Sequence, residues 1–161
     1  MYDSKEIELI SPCGMNCSIC ANYLAMKHQL RNKGVKMAYC QGCRPRNKNC
    51  AFIKKHCTKL SMKILDFCFE CEEFPCLRLK KLDEKYKSRY KMSMIENLDL
   101  IKVKGVENFH SSQKKEWKCK KCNEMISCHN GLCFKCDLEE LKNKKKKYQW
   151  NKINSSIHQE K

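Results

Sequence analysis

Arginine is scarce. The chain has 5 arginines against 29 lysines, and arginine is the side chain that reads phosphate and guanine through paired hydrogen bonds. A formal net charge of +16 over 161 residues invites a nucleic-acid reading. A lysine excess beside many Asn and Ile residues instead describes a soluble surface or an A+T-rich genome. Glycine and proline are also few, at 5 and 3. No phosphate-binding glycine loop, HExxH motif or Ser/His/Asp constellation occurs. No apolar run approaches the roughly 18 residues of a membrane span. The N-terminus, Met1-Tyr2-Asp3-Ser4-Lys5-Glu6, lacks the basic and apolar regions of a signal peptide, and no solenoid-type repeat is present. These absences predict a cytoplasmic protein, off the membrane, of one domain or one domain with a small satellite.

Cysteine is in excess, with 15 residues. Without them only about a third of the chain is apolar, a core thin enough to need a metal staple. An odd count rules out complete pairing within one chain, and the absence of a leader argues against a secreted disulfide scaffold. Metal-bound cysteine is thiolate. Twelve thiolates on three zinc ions would bring the net charge down to about +10.

The most specific motif is Cys119-x2-Cys122-x10-Cys133-x2-Cys136. Two Cys-x-x-Cys knuckles at this separation put four thiolates at the corners of a tetrahedron. Asn130-Gly131 predicts a type I′ turn joining 125–129 to 132–133, and so a β-hairpin zinc ribbon. Asn123 and Asp137 follow the knuckles, where a left-handed backbone is often required. Four ligands close a structural site, so Cys128 reads as a packing residue on the face of Ile126, and His129 as a solvated residue beside the turn.

Ten further cysteines lie between Cys13 and Cys76: Cys13, Cys17, Cys20, Cys40, Cys43, Cys50, Cys57, Cys68, Cys71 and Cys76. Cys13-x3-Cys17-x2-Cys20 has the spacing by which radical S-adenosylmethionine enzymes hold a four-iron cluster, but no large βα barrel follows. Thioredoxin-like exchange needs a βαβ unit, also absent. Zinc is the default, because paired knuckles are its usual signature. Were 50–57 all helix, Cys50 and Cys57 would stand about 10.5 Å apart along the axis, too far for one ion. The expected partition is Cys17, Cys20, Cys40 and Cys43 at one site and Cys57, Cys68, Cys71 and Cys76 at another. Cys13 and Cys50 are then spare, alternates or a close pair.

The coarse reading is a small metal-stapled protein, mainly α with little β. Residues 1–90 form a cysteine-rich metal-binding domain, 91–117 a helical connector, 118–137 the ribbon and 138–161 a basic tail. Residues 7–10 read as a strand. A helix opening at Cys17 and Cys20 carries Ile19, Tyr23, Met26 and Leu30 on one stripe and stops at Gly34. A second helix is expected over 51–60. A third runs from Pro75 through Leu77, Leu79 and Leu82 toward 88. Ser93-Met94-Ile95-Glu96 is a capping box, starting a helix that Gly105 ends, and a short helix spans about 106–116. In the tail, Leu138, Leu141, Tyr148 and Trp150 anchor a frayed helix.

Further residues carry a resemblance. Pro12-Cys13-Gly14-x2-Cys17-x2-Cys20-x2-Tyr23, Cys40-x-Gly42-Cys43-Arg44 and Cys68-x2-Cys71-Glu72-x-Phe74-Pro75-Cys76 resemble the family catalogued as domain of unknown function 3795. Its longer members are similar to the later stretch: Ser93-x-Ile95-Glu96-Asn97-Leu98, Gly105, Trp117-x-Cys119-x2-Cys122 and His129-Asn130-Gly131-x-Cys133-x2-Cys136. The resemblance covers residues 10 to about 137. It implies a small prokaryotic zinc-binding protein and names no activity. Ala21 departs from a common proline, and Cys128 from an aromatic or aliphatic residue.

The functional expectation is a zinc-binding protein holding about three ions, working as a metal-stapled interaction module for a protein or, second, a nucleic acid. The alternative is an iron–sulfur or thiol redox protein using the N-terminal cysteines. An enzyme is less favoured, because four cysteines on each zinc leave the metal no open position. Glu70, Glu72 and Glu73 read as a solvated acidic turn. His28, His56, His110 and His158 read as surface or core residues.

Overall fold

The computed structural model describes residues 4–46 and 55–151. Among them the protein is helical, with no β-sheet; pairing is limited to three isolated antiparallel bridges. A short helix α1 (Ser4–Ile7) leads in. The expected strand at 7–10 is not formed; only Ile10 bridges, to Asn16. The reason is local: the chain reverses at once, with the Ser11 amide donating to the Met15 carbonyl at 2.8 Å, so no partner strand can extend.

The expected helix from Cys17 to Gly34 is broken into a 3-10 turn at Cys17–Ile19, α2 (Ala21–Lys27) and a second 3-10 turn at Leu30–Lys33. Cys20 is extended, at φ −73° and ψ 133°, and Gln29 is left-handed at φ 50°. The predicted stripe is split as a result: Ile19 and Leu30 are fully buried, while Tyr23 and Met26 are only partly so. Ala21, Leu24 and Ala25 also face the core, and Gly34 closes the run in the left-handed region, as expected. Helix α3 (Cys43–Arg46) follows. Residues 51–54 of the predicted 51–60 helix lie outside the described residues, as does Cys50; the rest is interrupted at Cys57, which is extended at φ −118° and ψ 106°, and α4 (Thr58–Ser61) follows it.

The C-terminal half follows its local signals. Helix α5 (Leu77–Tyr90) buries Leu79, Leu82, Asp83, Tyr86 and Tyr90, one face at helical spacing. Ser93 caps α6 (Met94–Lys104), its Oγ accepting from the Glu96 amide at 3.1 Å, and Gly105 separates α6 from α7 (Val106–Glu116). Helix α6 packs against both α5 and α7. Helix α8 (Leu138–Asn143) precedes a segment docked on the molecule by Tyr148 and Trp150.

The two larger apolar cores hold together the segments that carry most of the cysteines. The larger joins Ile19, Leu60, Leu79, Leu82, Met94, Leu98 and Trp117 with Cys13, Cys20, Cys68 and Cys128. The second joins α2 (Ala21, Leu24, Ala25) to Leu132, Phe134 and Leu141. Both cores draw residues from either side of position 117. Gly14, at φ +87°, has to be glycine, because a Cβ there would lie 2.8 Å from the Met94 carbonyl oxygen and 2.9 Å from Leu98 Cγ. The Asn97 side chain donates to the Gly14 carbonyl at 3.0 Å, which ties α6 onto the Cys13–Gly14 turn.

Candidate metal centre

Residues 117–137 are folded by backbone bonds around two similar turns. In the first, the Asn123 amide donates to the Cys119 carbonyl at 2.9 Å and the Cys119 amide to the Glu124 carbonyl at 2.7 Å. Asn123 is left-handed, at φ 64°, as expected. In the second, the Asp137 amide donates to the Cys133 carbonyl at 2.8 Å. Asp137 departs from expectation: its φ is −106°, and its carboxylate instead accepts from the Cys133 amide at 2.8 Å. The predicted hairpin is reduced to the bridges Lys118↔Met125 and Ile126↔Cys133. The loop between them is not a type I′ turn, because Gly131 is left-handed, at φ 72°, while Asn130 is not.

This scaffold brings the sulfurs of Cys119, Cys122, Cys133 and Cys136 all within 4.8 Å of one another. Cys122 Sγ and Cys133 Sγ are 3.5 Å apart, close to the roughly 3.8 Å edge of a tetrahedron with 2.3 Å metal–sulfur bonds. Desolvation opposes ionisation of Cys119, yet the amides of Lys121 and Cys122 and the neighbouring thiols bring it down to about 7. Burial pushes the Cys133 thiol up to about 12, although the Cys136 and Lys135 amides also point at its sulfur. Amides converging on sulfur favour thiolate, and a cation would supply the remaining compensation. The four residues therefore form a group able to hold a metal ion.

Cys128 and His129 stay outside this group. Cys128 is fully buried, as expected, with its amide donating to the Ile19 carbonyl at 2.9 Å. His129 is not solvated, which corrects the sequence reading. It is 7% exposed, and its Nδ1 accepts from the Ala21 amide at 3.2 Å. That amide is an orphan donor of the first turn of α2, whose N-cap Cys20 makes no side-chain capping bond. The proton then sits on Nε2, 3.5 Å from Tyr86 Oη. Burial lowers the imidazole to about 4. His129 is thus a cap delivered from 108 residues away, and its neighbours in sequence could not reveal it.

The N-terminal cysteines fall into other groupings. Cys17 shares a small core with Leu9 and Cys43, and the Cys43 amide points at Cys17 Sγ at 3.4 Å. Cys40 Sγ accepts from the Gly42 amide at 3.4 Å and from Arg46 at 3.2 Å. Cys20 lies in the larger core with Cys13 and Cys68. Cys57, Cys68, Cys71 and Cys76 line one cavity of about 430 Å³, together with His56 and Glu73. Burial first, and then the thiols of Cys13, Cys57, Cys76 and Cys71, raise the Cys68 thiol. Cys13 therefore neighbours this second set. Among the described residues, these N-terminal cysteines form no group of three or more of the kind that the C-terminal four make.

Several other residues have plain roles. Arg44 donates to the carbonyls of Ile10 at 2.6 Å and Asp66 at 2.7 Å, and lies 4.8 Å over the Phe67 ring, so it staples three segments around the cysteines. Glu70 accepts from the Asp66 amide at 2.9 Å, and Glu72 is exposed beside Lys59. His28 and His110 are largely buried, near Glu124 and Glu6 respectively. His158 lies outside the described residues. No described helix is long and apolar enough to cross a membrane.

Residues 9–81 match the family model described as Protein of unknown function (DUF3795). No curated protein and no solved structure matches the chain.

Proposed function

We propose, beside the match of residues 9–81 to the DUF3795 family model, that the protein is a zinc-stapled interaction module whose ion at Cys119, Cys122, Cys133 and Cys136 builds the fold. One observation carries the reading: the four sulfurs lie within 4.8 Å of one another, the spacing of a closed structural site. Four protein ligands leave no position for a substrate, so the ion's contribution is to folding free energy. The N-terminal cysteines would hold about two further ions. Cys17, Cys40 and Cys43 would serve one, and the cavity set Cys57, Cys68, Cys71 and Cys76, beside Cys13, would serve the other.

A second reading applies to that cavity set alone. Four thiols around about 430 Å³ with no group of the C-terminal kind among the described residues suit an iron–sulfur cluster, which needs its thiolates farther apart than one zinc does. Metal analysis and thiol counting on anaerobically purified protein test both readings. Zinc at about three per chain, and a colourless protein, support the module. A brown protein absorbing at about 400 nm, with iron and acid-labile sulfide, moves the cavity to iron–sulfur chemistry. The partition is tested by single Cys→Ser variants. Loss of a zinc from Cys119→Ser is expected, and its retention would remove the C-terminal site.

A further inference from the structure

We propose that the cleft between the end of α5 and residues 145–151 binds single-stranded nucleic acid. The inference rests on the interaction-module reading and names the partner.

The segment after α8 is built, not trailing. Lys147 Nζ donates to the carbonyls of Leu141 at 2.6 Å, Lys142 at 3.0 Å and Lys144 at 2.6 Å, closing the C-terminus of α8 where a cation is favoured. The Asn130 side chain donates to the Lys147 carbonyl at 2.8 Å. Tyr148 Oη donates to Asn22, and Trp150 Nε1 donates to the Cys128 carbonyl at 2.9 Å. These bonds hold the backbone of 147–150 against the molecule and leave Lys145 and Lys146 in solvent. Arg89 and Lys91 are exposed on the opposite wall, at the end of α5.

The cleft measures about 860 Å³, within the roughly 300–1,000 Å³ typical of ligand sites. Its cations are Arg89, Lys91, Lys145, Lys146 and Lys147, and among the described residues no Asp, Glu or aliphatic residue lines it. Three aromatic residues line it, a buried Tyr90 and two that stand among these charges. Tyr148 is 40% exposed, and Trp150 lies under the Lys91 ammonium at 5.5 Å from its centroid.

A basic groove with interleaved aromatics is the physical requirement for single strands: cations follow the phosphates, and bases stack on rings regardless of sequence. Duplex DNA would offer phosphates but keep its bases stacked on each other. A bilayer would need aliphatic side chains for insertion, and the described lining has none. Four of the five cations are lysines, which meet phosphate as point charges, so the recognition expected is sequence-independent.

The test is fluorescence anisotropy of a short labelled oligothymidylate against the full-length, zinc-loaded chain. Expected is binding that weakens with salt at a log–log slope of about −3, as for four phosphate contacts on a single strand. Lys145→Glu/Lys146→Glu should weaken it about tenfold or more, and Tyr148→Ala about fivefold or more. Lys80→Glu/Lys81→Glu, at the far end of α5, changes the net charge equally and should cost less than about twofold. Zinc content and thermal midpoint check each variant; a glutamate variant that fails the check is replaced by Lys145→Gln/Lys146→Gln. No binding by the zinc-loaded chain at about 50 mM salt, equal losses in both charge-reversal variants, preference for duplex, or capture by anionic phosphatidylserine vesicles without oligonucleotide binding would each overturn the proposal. Zinc loss with oligonucleotide binding retained would instead overturn the metal reading alone.

Discussion

His129, Asn130 and Gly131 are three successive residues with three distant partners, and the sequence misled at all of them for the same reason. Asn-Gly is a hairpin signal because both residue types tolerate a left-handed backbone. Here Asn130 spends its amide on the Leu132 amide and the Lys147 carbonyl, His129 caps α2, and Gly131 lies under Trp150. Gly131→Ala would place a Cβ 2.5 Å from Trp150 Cζ3 at a φ of +72°, and is expected to cost about 2 kcal/mol, read as a lowered thermal midpoint and a shifted Trp fluorescence spectrum. His129 carries a pH prediction. Burial holds it to about 4 when folded against an ordinary 6.5, so folding selects the neutral ring. The associated stability is full above about pH 6.5 and declines as pH falls toward about 4, at up to about 1.4 kcal/mol per pH unit. His129→Gln keeps an acceptor for Ala21 and cannot ionise. Urea unfolding of the metal-loaded proteins at neutral and mildly acid pH should show the variant less stable at neutrality and less sensitive to acid; parallel slopes would refute this. The four C-terminal cysteines, by contrast, were legible at this scale, because the metal-ligand spacing is itself the geometric constraint.

At the scale of elements, α6, capped by a neighbour in sequence, was read correctly, and α2, capped from a distance, was not. Helix α6 begins where Ser93 caps it and ends at Gly105. Helix α2 starts late because Cys20 is extended and takes its cap from the C-terminal loop, a long-range cause that periodicity within the segment cannot contain. The α5–α6 junction gives a prediction of its own. Ser93 Oγ accepts from the Glu96 amide at 3.1 Å and donates to Asp83 Oδ1 at 2.6 Å, and the Ile95 amide reaches the same oxygen at 3.1 Å. Desolvation pushes the Asp83 carboxyl up, but the bonds from Ser93, Ile95 and Lys87 outweigh it and hold it below the usual range. One hydroxyl therefore serves a helix cap and a buried acid. Ser93→Ala should cost about 2 kcal/mol, one part the lost cap and one part the unsatisfied carboxylate, while Ser93→Thr should restore most of it. The urea midpoint measures both, and a Thr variant as unstable as Ala would sink the double role.

For the whole molecule, composition indicated a thin core in need of a staple, and the structure explains what the staple would hold. Leu132 and Phe134 flank Cys133 and share one core with Ala21, Leu24 and Ala25 of α2 and Leu141 of α8. The proposed ion would thus secure α2 as well as the loop that ligates it. The N-terminal partition was less legible, because those cysteines sit on turns whose packing depends on this same docking: Cys20 is the N-cap of α2, and Cys13 sits in the turn that α6 covers. Removal of a structural zinc costs on the order of 10 kcal/mol in zinc-finger peptides, far more than any one helix contact. Cys133→Ser should therefore lose one zinc and lose amide hydrogen-exchange protection in two places, residues 118–137 and α2. Helices α5 and α6, joined through Asp83 and Ser93 and packed in the other core, should keep theirs. Protection lost only within 118–137 would mean that α2 is held without the metal, and protection lost everywhere would mean that the two cores unfold as one.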